Sequence, residues 1–125
     1  AEASEAEAIH ALYGQFVDDA FDLPKVHARD LAQARAASPA LAAAHRRVGE
    51  GLVDGSGQKT LDRAALDGLP HPVRIVWGRQ DRILPVEQAM GLAGTIGLYL
   101  FDGVGHMPHW EIPEALARII LEATA

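Results

Sequence analysis

The chain has 125 residues, room for one domain at most, and a formal net charge of −6. That sign of charge argues against a nucleic-acid surface, which needs basic groups to displace counterions. With no cysteine, disulfides, thiolate metal sites and cysteine nucleophiles are excluded, and no apolar run reaches the roughly 20 residues of a membrane helix.

Cysteine-free composition and the lack of a basic-then-apolar leader lead us to expect a soluble, cytoplasmic chain. The pattern changes near Gly68-Leu69-Pro70, from Ala-rich and helical to strands alternating with helices. Ser4 and Glu7 stand at capping-box spacing, which predicts a helix opening there. Ile9, Leu12, Tyr13, Phe16, Val17, Ala20 and Phe21 then recur at spacings of three and four, one apolar stripe on one helix. Leu23-Pro24 ends that run, and a second helix is expected over 25–37. Ser38-Pro39 reads as an N-cap with proline at the first helical position. The third helix places Leu41, His45, Val48 and Leu52 on one face and weakens at Gly51 and Asp54-Gly55-Ser56-Gly57. Thr60 is suited to cap a short helix over 61–66.

From residue 73 the period changes. Val73-Arg74-Ile75-Val76-Trp77 is short and β-branched, the signature of a strand covered on both faces, and Gly78 stops it. Pro85 opens a helix to about Leu92, and Leu98 to Phe101 reads as a second buried strand. A turn-rich loop over 102–108 leads to a last helix from Pro113, with Leu116, Ile119, Ile120 and Ala123 inward. Strand, helix, strand in this order is a crossover between parallel strands, so the fold class is α/β.

Two loops carry candidate chemistry, each at the carboxyl end of a predicted strand, where open α/β sheets gather their sites. The first holds Asp81, and the second holds His106 between Gly103, Gly105 and Met107. Consecutive parallel strands bring the two ends side by side. A carboxylate on one imidazole nitrogen fixes the tautomer, leaves the other nitrogen as a base and stabilises the imidazolium. Taken singly, each residue has a plainer reading: Asp81 as a turn residue and His106 as a structural histidine. The pair is an acid and a base that still need a nucleophile.

Trp77-Gly78-x-x-Asp81-x-Ile83-x-Pro85 and Gly103-x-Gly105-His106-x-x-x-x-Glu111-x-Pro113-Glu114 resemble the acid and histidine motifs that close α/β-hydrolase fold proteins. The resemblance implies a partial α/β-hydrolase fold. Residues 1–70 would be the helical cap and 71–125 the C-terminal part of the core, strand-helix-strand-helix with parallel strands. It implies Asp81 as triad acid and His106 as triad base, acting on a small acyl or ester substrate without a cofactor. Within that superfamily the Ile-Val-Trp-Gly-x-x-Asp-Arg-Ile-Leu-Pro run suggests the hydrolase-like domain of acetoin dehydrogenase dihydrolipoamide acetyltransferase. Esterases and carbon–carbon bond hydrolases share the run.

The nucleophile motif Gly-x-Ser-x-Gly is missing. Of Ser4, Ser38 and Ser56, the last lies in Gly55-Ser56-Gly57, which has neither the spacing nor a preceding strand and reads as a flexible turn. The serine is therefore expected outside this chain, and the chain alone is expected to be inactive. A competing reading is a truncated or split hydrolase fragment that serves association or assembly. Two parallel strands leave edges and faces uncovered, so self-association, or pairing with the missing N-terminal half, is expected. His106-x-x-His109 lacks a third ligand, which argues against a metal. Trp77 and Trp110 read as packing residues. Tyr13, Phe16 and Phe21 read as cap core, or alternatively as the roof of an acyl pocket. Glu111 reads as a helix-start residue favoured by the dipole.

Overall fold

The computed structural model describes residues 2–55, 57–58 and 62–125. Ser56 and Thr60, read above as a turn and a cap, lie outside the described residues. The chain forms two compact units: 1–11 with 24–61, and 12–23 with 62–125.

In the first unit, α1 (Glu2–Gly14) contributes its residues up to 11, followed by α2 (Lys25–Ala37) and α3 (Pro39–Gly51). Ser4 lies inside α1 rather than at its cap. The predicted Ser38 cap is present: its hydroxyl accepts the Leu41 N–H at 3.3 Å, with Pro39 at the first helical position. Ile9, Ala28 and Ala32 are buried, and Arg35 pairs with Glu5 at 3.1 Å. The apolar face expected of α3 is largely uncovered, with Val48 and Leu52 exposed, because only the first turns of the helix are half-buried. A two-residue hairpin, β1 (Val53–Asp54) against β2 (Gly57–Gln58), follows α3.

The second unit begins where the predicted long helix ends. After Gly14 the backbone closes by shorter steps, Gln15 N–H to the Leu12 carbonyl and Phe16 N–H to the Tyr13 carbonyl. Asp18 then bonds its own backbone two residues on, Oδ1 accepting from Ala20 N–H at 2.9 Å, which competes with helix continuation. So Phe16, Val17, Ala20 and Phe21 leave the stripe that their spacing suggested, and Val17 and Leu23 become buried here.

A short α4 (Arg63–Asp67) is capped by Asp62, whose side chain accepts from Ala64 N–H at 3.0 Å. The strands β3 (Arg74–Gly78) and β4 (Gly97–Phe101) pair in parallel, Arg74 opposite Gly97 through Gly78 opposite Phe101, as the crossover pattern predicts. Their burial is less complete than expected. Apart from Gly78, the residues of both strands are half-buried or exposed, because this sheet has two strands only.

The crossover helix is also shorter than predicted, a single 3₁₀ turn over Val86–Ala89. Arg63 takes the carbonyl oxygens of Gln88 (3.3 Å) and Met90, and Gly91 turns at φ +67°, a left-handed conformation that favours glycine. Those oxygens are thereby diverted from helical bonding. Beyond β4, α5 (Pro108–Glu111) leads directly into α6 (Pro113–Thr124). Ile119 is buried and Leu116 and Ala123 half-buried, whereas Ile120, expected inward, is 53% exposed. The apolar stripe is centred on Ile119, and a neighbour one position on is rotated about 100° away. Val104, Ala89 and Ile96 are further buried hydrophobic residues of this unit. Among the described residues no helix is long and apolar enough to cross a membrane.

Candidate active site

Both loops named from the sequence lie at the carboxyl ends of β3 and β4. The acid loop leaves β3 at Gly78, where only glycine fits: a Cβ there would stand 2.1 Å from the Val104 carbonyl oxygen. Arg79 N–H then bonds the Phe101 carbonyl at 2.9 Å and Gln80 N–H the Val104 carbonyl at 3.0 Å. Gln80 returns its side-chain Oε1 to the amides of Gly103 (2.7 Å) and Val104 (3.3 Å). The loops are thus laced together before either candidate side chain is reached.

Asp81 uses its two carboxylate oxygens differently. Oδ1 accepts the N–H groups of Ile83 and Leu84 at 2.8 and 2.9 Å, an Asx-type turn that fixes the carboxylate on its own loop. Oδ2 lies 2.8 Å from Nδ1 of His106. Trp77, read as a packing residue, also closes the loop, Nε1 donating to the Leu84 carbonyl at 3.2 Å. The Asp81 side chain is 5% exposed and that of His106 30%, so the carboxylate is nearly out of water while the imidazole retains an open side. A buried carboxylate requires such partners, and these three satisfy both of its oxygens.

An acceptor at Nδ1 places the proton there and leaves Nε2 as the basic nitrogen. The ring is set edge-on to Phe16, with centroids 5.8 Å apart. Tyr13 in turn meets the edge of Trp110 at 5.2 Å. A cleft of about 160 Å³ opens beside the pair, lined by Val76, Trp77, Leu84 and Pro108 along with Asp81 and His106.

Sequence reasoning paired Asp81 with His106 and missed what holds them. His106 N–H donates to the Phe16 carbonyl at 2.5 Å. Arg82 stands over the turn that carries Phe16: it binds the carbonyls of Gly14 (3.0 Å) and Val17 (2.9 Å) and pairs with Asp19 at 2.7 Å. Glu111, assigned above to the helix dipole, accepts three backbone N–H groups, from Asp18 (2.6 Å), Gly105 (2.9 Å) and Met107 (3.2 Å). The signal in the sequence was the position of Glu111 five residues after the histidine; nothing local marks its partners in 16–18. No cluster of three or more His, Asp or Glu side chains suited to a metal occurs among the described residues.

Comparison with known proteins bears on the family and the fold. A family model described as the alpha/beta hydrolase family matches residues 2–119. Over 54 residues the chain is 37% identical to a 2-hydroxy-6-oxononadienedioate/2-hydroxy-6-oxononatrienedioate hydrolase of Pseudomonas putida, covering 41% of this chain and 19% of that protein. It is 38% identical over 87 residues to an uncharacterized protein of Mycobacterium bovis, covering 66% of this chain and 25% of that one. Among solved structures, a serine hydrolase involved in carbazole degradation superimposes with a TM-score of 0.67 at 22% identity, over 95% of this chain and 46% of its own. The 2-hydroxy-6-oxo-6-phenylhexa-2,4-dienoate hydrolase of Rhodococcus gives 0.66 at 24% identity, over 99% of this chain and 44% of its own. These two likenesses concern the fold, and the chain spans less than half of either structure and a quarter or less of those two curated relatives. The motifs, the parallel strand pair and the match across nearly the whole length lead to one conclusion: the chain belongs to the alpha/beta hydrolase family.

Proposed function

We propose that this chain supplies the acid and base of a Ser-His-Asp hydrolase, with Asp81 orienting His106 and His106 activating a serine that lies outside the chain. The observation that carries this reading is the 2.8 Å contact between Asp81 Oδ2 and His106 Nδ1 at adjacent strand ends. In such a site the imidazole removes the serine proton as the hydroxyl attacks a carbonyl carbon, then returns it to the leaving group. Residues 1–70 act as the cap and 71–125 as part of the core. The substrate is a small, mostly apolar acyl compound, cleaved at a carbon–carbon or ester bond. The hydrolase names of the curated relatives favour the carbon–carbon reaction. The finer likeness to an acetoin-complex acetyltransferase has no support from those relatives, and hydrolysis is preferred to acyl transfer.

The test is reconstitution. The chain is purified alone and together with a serine-bearing N-terminal half from the Pseudomonas putida relative, and both are assayed with 2-hydroxy-6-oxononadienedioate and a p-nitrophenyl ester. The chain alone should neither hydrolyse these compounds nor react with a serine-directed fluorophosphonate. The pair should hydrolyse one of them, with a loss of at least 100-fold on His106→Ala. Equal turnover by the His106→Ala pair, or stoichiometric labelling of Ser56 in the chain alone, contradicts the proposal.

A further inference from the structure

We propose that Glu111 is a positioning residue for His106, a carboxylate that stands in for a strand partner on the loop carrying the base. This rests on the assignment of Asp81 and His106 above and deepens it. Three successive backbone amides, those of Gly105, His106 and Met107, must be satisfied where the loop leaves the sheet. The two outer ones donate to the two oxygens of Glu111, 2.9 Å to Oε1 and 3.2 Å to Oε2. The middle one donates to the Phe16 carbonyl.

The same Oε1 also accepts Asp18 N–H at 2.6 Å. Segment 16–18 and loop 105–107 are therefore joined reciprocally, carbonyl to amide in one direction and amide through carboxylate in the other. Gly105 makes the approach possible, since a Cβ would come within 2.8 Å of the Phe16 carbonyl oxygen. The short α5 puts the carboxylate in place. Helical side chains lean toward the N-terminus, so Glu111 reaches back over Met107, its i−4 neighbour. Pro108 fills the first helical position, where no amide is needed. Charge-assisted bonds to main-chain amides are the strong kind, and neither serine, asparagine nor a water offers two fixed anionic oxygens at this spacing.

The consequence is specific to the imidazole. With both flanking amides anchored, the His106 backbone cannot swing, and the ring meets Asp81 in a single pose. Loss of the Oε2 acceptor frees Met107 and widens the range of ring orientations, while the sheet beneath is untouched. Glu111→Gln keeps the side-chain size and an oxygen for Gly105 and Asp18, but presents an NH₂ group to the Met107 amide. Glu114→Gln, in the first turn of α6, is the control.

The experiment is ¹⁵N NMR of the full chain, reading the His106 tautomer and the hydrogen exchange of the Asp18, Gly105 and Met107 amides. In the wild type these three amides should exchange slowly and the Nδ1–H tautomer should dominate. Glu111→Gln should lower the ratio of Nδ1–H to Nε2–H tautomer at least fivefold and speed Met107 exchange at least tenfold, with β3 and β4 amides unchanged. Glu114→Gln should change neither. An unaltered tautomer ratio in Glu111→Gln overturns the proposal while leaving the Asp81–His106 pair standing. A wild type lacking the Nδ1–H tautomer refutes the pair itself. Should Glu111→Gln not fold, the wild-type amides decide: exchange at open-loop rates at Gly105 and Met107 overturns the proposal, and joint protection with Asp18 supports it.

Discussion

Gly78 and Val104 are in direct backbone contact: a Cβ on the glycine would stand 2.1 Å from the Val104 carbonyl oxygen and 2.2 Å from that of Gly105. This is the point at which the acid loop and the histidine loop are pressed together. Gly78→Ala forces backbone against backbone, with no flexible side chain to yield, and should destabilise the fold by about 3 kcal/mol. Urea unfolding measures it. A loss under about 0.5 kcal/mol would show that the loops are less tightly apposed than described.

Arg82 separates two contributions that are easily confused. Its ion pair with Asp19 is on the surface, where such pairs contribute about 0–1 kcal/mol. Its bonds to the Gly14 and Val17 carbonyls close the turn that carries Phe16 to His106. Asp19→Ala should therefore change stability by less than about 0.5 kcal/mol, and Arg82→Ala should cost about 1–2 kcal/mol. Equal effects in denaturation would assign the role to the surface pair instead.

How far the sequence revealed the site depends on the distance over which each contact acts. Asp81 and His106 were legible because each is marked by its own loop: Trp-Gly before Asp81, and two glycines just before His106. The parallel pairing of β3 and β4 followed from two short apolar runs flanking a crossover. The end of α1 at Gly14 was not legible, because residues 9–21 keep a helical spacing, and the turn in which Asp18 bonds Ala20 N–H is closed by Arg82, more than 60 residues away. Arg63 shortens the crossover helix in the same long-range manner. Glu111 was visible as a residue, but its three acceptor bonds depend on segment 16–18 arriving from elsewhere in the chain.

The two-stranded parallel sheet and α6 leave apolar surface uncovered, with Ile120 53% and Leu121 69% exposed. We propose that the isolated chain self-associates through this surface. Size-exclusion chromatography with light scattering at micromolar concentration should give a dimer or larger species, and Ile120→Lys with Leu121→Lys should shift it toward monomer. A monomeric wild type, folded by circular dichroism, would run counter to this.

The most direct test of the whole account is the protonation pattern of one imidazole. In ¹⁵N-detected spectra of the chain, His106 should carry its proton on Nδ1 with Nε2 unprotonated, and Asp81→Asn should abolish that preference while the β3–β4 amides keep their shifts. A histidine found as the Nε2–H tautomer, indifferent to Asp81→Asn, would contradict the pairing from which the proposed chemistry follows.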